Sequence, residues 1–190
     1  VLAGRHVRLE PVTPEHREPL KAALNCDLAS WEIASVNGCG DGFDGYWAEM
    51  TADVAARTRI AYAVVLPRDG RVVGTTSLLN IRRLHHGVEI GFTFLHPDVR
   101  SGPVNPESKL LLLSEAFDAG AVRVEFNVDH RNARSQAAVE KLGAVREGVL
   151  RRHKVTWTGH VRDTVVFSII DDEWSGVRDR LTWRLQETFV

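Results

Sequence analysis

The chain has 190 residues, with 24 lysines and arginines against 25 aspartates and glutamates, for a formal net charge of −1. That balance excludes a dedicated nucleic-acid binder, which carries a basic excess, and an acidic interaction tail. Hydrophobic residues at 44% and charged residues at 26% fit one globular domain over 1–190 that folds without metal or disulfide, and no run approaches the ~18 apolar residues of a membrane span.

Taken in chain order, His6-Val7-Arg8-Leu9-Glu10 alternates with the period of a half-buried strand. Thr13-Pro14-Glu15 reads as cap, first-turn proline and first-turn acid, opening a helix to about Leu24. The glycines at 38, 40, 42 and 45 mark a loop, followed by a helix from about Asp44 to Arg57. Ala61 to Leu66 and Val72 to Ile81 flank an Arg68-Asp69-Gly70 turn and predict a hairpin. After a turn at His85-His86-Gly87, Val88 to Leu95 alternates. Strict alternation puts Val88, Ile90, Phe92 and Phe94 on one face and Glu89, Gly91, Thr93 and Leu95 on the other.

The period then changes. Asn105-Pro106-Glu107 gives cap, proline and acid, and Gly120 stops the helix they open. Val122 to Val128 is a strand. Asn132 caps a further helix that Gly143 ends. Strands near Val145–Val155 and Val161–Ile170 flank a Trp157-Thr158-Gly159 turn, and a helix closes from Asp171 to about Gln186. Antiparallel strands followed by strand–helix–strand–helix and a hairpin predict a mixed α/β sheet of about seven strands, with one right-handed crossover between parallel neighbours.

Four places could carry chemistry. The loop from His96 to Asn105 joins a strand end to a helix start, where free N–H groups and the helix dipole favour an anion; Arg100, Ser101 and Gly102 suit it, although taken alone the stretch reads first as a plain connecting loop that holds an arginine. Ser135 shares a helix face with Ala138, Val139 and Leu142, so its hydroxyl either faces a site or bonds back to a helix carbonyl. Glu89 lies beside Gly91, which invites close approach to the backbone, and is either a general base or a solvated strand residue. Asp163 shares a face with Val161, Val165 and Phe167, so it is paired or functional. The eight histidines show no ligand spacing, so no metal is expected. GxSxG, Walker and GxGxxG loops are absent. Two cysteines, Cys26 and Cys39, are too few for a disulfide framework, and Val1–Arg5 lacks secretory-signal character, so a reducing, cytoplasmic setting is expected.

In this order the motifs resemble the GNAT superfamily of acyl-CoA-dependent N-acyltransferases, most nearly its RimJ/RimL-like branch. The resemblance rests on Val7-Arg8-Leu9-Glu10-Pro11, Val73-Gly74-Thr75-Thr76, Glu89-Ile90-Gly91-Phe92, Asn105-Pro106-Glu107-Ser108-Lys109 through Phe117, and Asn132-Ala133-Arg134-Ser135 through Ala144. It implies acetyl-CoA as co-substrate, lying in a V-shaped opening between Val88–Leu95 and Val122–Val128. The pantetheine arm would pair with backbone at Phe94 and Leu95. The pyrophosphate would sit at the loop of Arg100, Ser101, Gly102, Val104 and Asn105, with Lys109 as a further cation. Asn132 and Ser135 would line the thiol end.

Three departures accompany the resemblance. Pro103 and Asn105 stand where the family's phosphate loop has small residues, and Pro103 removes one N–H donor. Val139 stands where a general-acid tyrosine is common, leaving Ser135 to protonate the thiolate. The family's base position falls near His153-Lys154, so Glu89, His153, Asp163 or a held water are all candidates. The reading is an N-acetyltransferase whose acceptor is a primary amine, either a small molecule or a protein N-terminus, in a chain that could form a homodimer. The alternative is a non-catalytic acyl-CoA-binding module.

Overall fold

In the computed structural model, which describes residues 1–188, the chain runs β1 (Leu2–Ala3), β2 (Arg8–Pro11), α1 (Arg17–Leu24), α2 (Leu28–Glu32), α3 (Phe43–Ala55), β3 (Arg59–Val65), β4 (Val72–Arg82), β5 (Gly87–Leu95), α4 (Val104–Asp118), β6 (Arg123–Asp129), α5 (Ala133–Leu142), β7 (Val145–Val155), β8 (Val161–Ile170) and α6 (Asp171–Thr188). The strands form one mixed sheet of eight, in the order β1-β2-β3-β4-β5-β6-β8-β7. The strand beyond the expected seven is the two-residue β1, too short for alternation to reveal. α2 was also unexpected. Its signal is local, with Asp27 capping by accepting the Ser30 N–H.

Two cores sandwich the sheet. Leu112, Leu113 and Ala116 of α4, Val139 and Leu142 of α5, and Val177 and Leu181 of α6 pack with Val88, Ile90, Val124, Phe126 and Phe167 on one face. Leu20, Leu24, Trp31, Phe43, Tyr46 and Met50 pack with Ala61, Ala63 and Val65 on the other. Trp31 stacks on Phe94 with centroids 3.8 Å apart. The aromatics near the glycine-rich loop thus belong largely to this second core.

The alternation expected for β5 fails midway. Thr75 lies opposite Phe94 and Ser77 opposite Gly91, so Thr76 alone faces two residues, Phe92 and Thr93. Phe92 takes φ of 48°. This is a β-bulge, and its extra residue reverses the side-chain parity beyond it. Val88 and Ile90 therefore stay in the first core, Phe92 and Phe94 cross to the second, and Leu95 packs against the first.

α4 begins at Val104, two residues before the expected start, with Pro103 as its cap at φ −73°. Asn105 is therefore inside the first turn and does not cap the helix. The Glu107 carboxylate accepts the N–H groups of Arg5, His6 and Val7 at 2.9, 2.6 and 2.8 Å, tying the chain's start to α4.

Candidate active site

β5 and β6 pair in parallel at three positions: Gly87 with Arg123, Val88 with Val124 and Glu89 with Glu125. Beyond them the two strands part, opening a wedge that leads into a cleft of about 490 Å³. Its walls come from β5, β6, α4, α5 and the segment 30–36.

The open edge of β5 has a defined polarity. Phe94 directs its carbonyl at Gly74, and His96 donates its N–H to Val73 at 2.8 Å, both toward β4. Alternate residues outside the bulge face opposite edges, so Leu95, between them, presents its peptide group to the wedge, and Thr93 lines the cleft. This corrects the expectation for the Phe94 peptide, which faces β4. Gly74 makes the close approach possible, since a Cβ there would overlap the Phe94 oxygen.

At the wedge mouth, the N–H groups of Ser101, Gly102, Val104 and Asn105 find no protein acceptor among the described residues. Pro103 and Pro106 contribute none. Ser101 takes φ of 63°, the left-handed backbone of an anion-cradling nest. Asn105 Oδ1 is buried without a hydrogen-bond partner. These donors, with an acceptor for a hydroxyl or amide, suit the phosphates and arm of CoA.

The two expected phosphate cations are engaged elsewhere. Arg100 donates through Nε to the Leu95 carbonyl at 2.9 Å, and its guanidinium pairs with Asp27, 73 residues away. Hydrogen bonds from Ser30, then Arg100, hold the Asp27 carboxyl down at about 2. Lys109 points between α4 and the sheet, where Nζ donates to Thr93 Oγ1 at 2.5 Å and Thr76 Oγ1 at 3.2 Å. Burial alone pulls its pKa down to about 7.

Of the expected acid–base residues, Glu89 and Ser135 line the cleft together. Glu89 is 5% exposed, and Asn80 Nδ2 donates to its Oε2 at 2.6 Å. A side chain at Gly91 would sit 3.3 Å from Glu89 Oε1, so glycine there keeps that oxygen accessible. The Ser135 N–H donates to Asn132 Oδ1 at 3.0 Å, the expected cap. Its hydroxyl takes no protein partner among the described residues, so the back-bonded reading does not hold.

Asp163 and His153 are not among the cleft-lining residues. Asp163 Oδ1 accepts the Arg152 N–H at 2.6 Å and thereby secures an irregularity in β7, where Arg152 takes φ of 50°. His153 is exposed on the same irregular stretch; partial burial, then Lys154 and Arg162, lowers its pKa.

No local pattern pointed to the segment that closes the cleft. Four ties hold residues 30–36 across it: Arg134 to Ser30 Oγ at 3.3 Å, Arg162 to Ser35 Oγ at 3.2 Å, Trp157 Nε1 to the Trp31 carbonyl at 2.8 Å, and the Trp157 N–H to the Ser35 carbonyl at 3.3 Å. Each joins residues more than 100 positions apart, beyond the reach of local periodicity.

The model of the acetyltransferase (GNAT) domain family matches residues 6–145. A structure from T. thermophilus, assigned as an acetyltransferase, is 36% identical, with 97% of this chain and 96% of that one covered at a TM-score of 0.85. A GCN5-related N-acetyltransferase from Brucella melitensis is 27% identical over 98% of this chain and 86% of that one, at a TM-score of 0.86. RimJ from Mycobacterium smegmatis, solved with CoA-disulfide, shares the fold at 20% identity and a TM-score of 0.79, with 93% and 88% covered. No curated protein matches the sequence. The chain belongs to the GNAT acetyltransferases, which move an acyl group from acyl-CoA to an amine.

Proposed function

We propose that the cleft transfers acetyl from acetyl-CoA to a primary amine by direct attack, with Glu89 as base and Ser135 as acid. The observation that carries this reading is the wedge itself. Thr93 and Leu95 of β5 line its edge, the N–H groups of Ser101, Gly102, Val104 and Asn105 stand at its mouth with no acceptor among the described residues, and Glu89 and Ser135 share its walls. The M. smegmatis RimJ structure, whose fold this chain shares, was solved with CoA-disulfide.

Glu89 takes a proton from the amine, directly or through one water, as nitrogen bonds to the thioester carbon. The Leu95 N–H at the β5 edge receives the negative charge that develops on oxygen. As the carbon–sulfur bond breaks, Ser135 gives its proton to sulfur and recovers one from solvent. Asn132 fixes the start of α5 and so the place of Ser135. Ser101, Gly102, Val104 and Asn105 hold the phosphates through backbone N–H groups.

The acceptor is a small amine or a protein N-terminus. One structural neighbour, from Vibrio fischeri, is a ribosomal-protein-S5-alanine acetyltransferase. Cys26 and Cys39 are both free thiols, which suits a reducing cytoplasm. No described helix is long and apolar enough to cross a membrane. For a homodimer, the exposed edge strand β7, with Val145, Val149, Leu150 and Val155, is the face that supports the reading. Thiol release from acetyl-CoA, measured across a panel of amines and N-terminal peptides, tests the proposal. Turnover with at least one amine is expected. Tight CoA binding with no turnover on any of them would overturn it in favour of a binding module.

A further inference from the structure

Two buried cations meet the β5 bulge from opposite faces of the sheet. On the α3 side, Arg59 is 3% exposed, and its guanidinium carbon lies 4.1 Å from the centroid of the Phe92 ring. Its Nε donates to Ser77 Oγ at 2.9 Å and its Nη2 to Tyr46 Oη at 3.4 Å. On the α4 side, Lys109 is 5% exposed and donates to Thr93 and Thr76. Thr76 and Ser77 are neighbours on β4, and Phe92 and Thr93 are neighbours on β5. Each cation thus grips one residue of each strand at the place where the register breaks.

Neither cation forms an ion pair with a carboxylate among the described residues. Their partners are hydroxyls and an aromatic ring. The elements around Lys109 carry Arg82 on β4, Glu89 on β5, Arg123, Glu125 and Asp129 on β6, Arg100 in the loop, Glu107, Glu115 and Asp118 on its own helix, and Arg178, Asp179, Arg180 and Arg184 among the charges of α6, and no described one of them pairs with it. Burying an unneutralised charge costs several kcal/mol, and an apolar side chain would brace the strands at lower cost. Stability therefore does not account for the charge. The bulge does have a use for it, since Phe92 and Thr93 line the cleft, where acyl transfer develops negative charge on oxygen and sulfur.

We infer that Arg59 and Lys109 are positioning residues for acyl transfer: acting through Phe92 and Thr93, they fix the bulge at the wedge and supply the positive field that favours charge developing on the thioester. The inference rests on the acyl-transfer reading above. It adds a proton requirement that the reading lacks. Because burial brings Lys109 down to about 7, its share of the field fades as pH rises through neutrality.

The test is the infrared carbonyl stretch of acetyl-CoA, labelled with carbon-13 at the carbonyl and bound to the intact chain. The wild-type band is expected below that of free acetyl-CoA, and further below at about pH 6 than at about pH 8.5. In Lys109→Met the displacement shrinks and loses its pH dependence. In Lys109→Arg it persists and is flat with pH. Arg59→Met is expected to shrink it as well; if that variant fails to fold, the Lys109 pair decides alone. With an accepted amine, Lys109→Met is expected to lower kcat about tenfold or more, with KM for acetyl-CoA within about threefold, and Lys109→Arg to restore most of the loss. An unchanged band and kcat in Lys109→Met, or equal losses in Met and Arg variants, overturns the inference while leaving the acyl-transfer reading in place. A wild-type chain that binds acetyl-CoA but releases no thiol overturns both.

Discussion

At the inner end of the wedge, Phe92 and Thr93 are gripped from both faces by Arg59 and Lys109, whereas at its mouth Ser101 to Asn105 present four N–H groups with no acceptor among the described residues. The bulge is over-determined: ring, hydroxyls and a positive φ all specify one conformation. The loop is under-determined, and its one strong side-chain anchor, Arg100, is held by α2 and by a strand carbonyl. Groups that must meet a transition state benefit from being fixed in advance. Groups that hold phosphates can be completed by the phosphates themselves.

The sharpest way to break the inner end is Gly74→Ala. The new methyl would collide with the Phe94 oxygen, inside the backbone that carries the bulge. A loss of roughly 3 kcal/mol or more is expected in denaturant unfolding, with activity lost alongside. Next come the proposed acid and base. Ser135→Ala and Glu89→Gln should each lower thiol release about 100-fold with little change in melting temperature, since the Ser135 hydroxyl has no partner to lose among the described residues.

Lys109→Met should raise stability at neutral pH, the reverse of the usual core substitution. The folded amine titrates at about 7 against an ordinary 10.5, so the unfolded chain binds more protons between those values and the wild type gains stability as pH rises through them. The advantage of the variant should be greatest near pH 7 and below and vanish above about pH 10.5. The smallest effect is expected at the mouth. Asp27→Asn weakens the Arg100 pair, which is about a fifth exposed, and should cost about 1 kcal/mol above pH 4. The difference from wild type should fade as pH drops from about 4 to about 2, where the wild-type carboxyl protonates. The same change frees Arg100 and should tighten CoA binding in calorimetry.

The same contrast separates what local sequence could reveal from what it could not. Asn132 and Gly143 bracket α5 as cap and left-handed stop, with φ of 100° at Gly143, because both signals act within one helical turn. The bulge was hidden, since Thr93 and Leu95 fit either face and one inserted residue leaves no compositional trace. The Asp27–Arg100, Glu107–Val7 and Arg162–Ser35 contacts join distant positions, and only the assembled sheet brings them together. Glu89 and Ser135 were legible as candidates by residue type and neighbourhood. Their meeting in one cleft was not, because it depends on where β5 and β6 part.

Three paired positions, preceded by the Val122 N–H bond to the His86 carbonyl, join the five-stranded part of the sheet to the three-stranded part. Past the last pair, the gap between β5 and β6 is set by side-chain volume, with Ile90 and Phe126 buried just beyond the seam. The aperture is thus a packing quantity, and bulk at those two positions is a dial on the width of the channel.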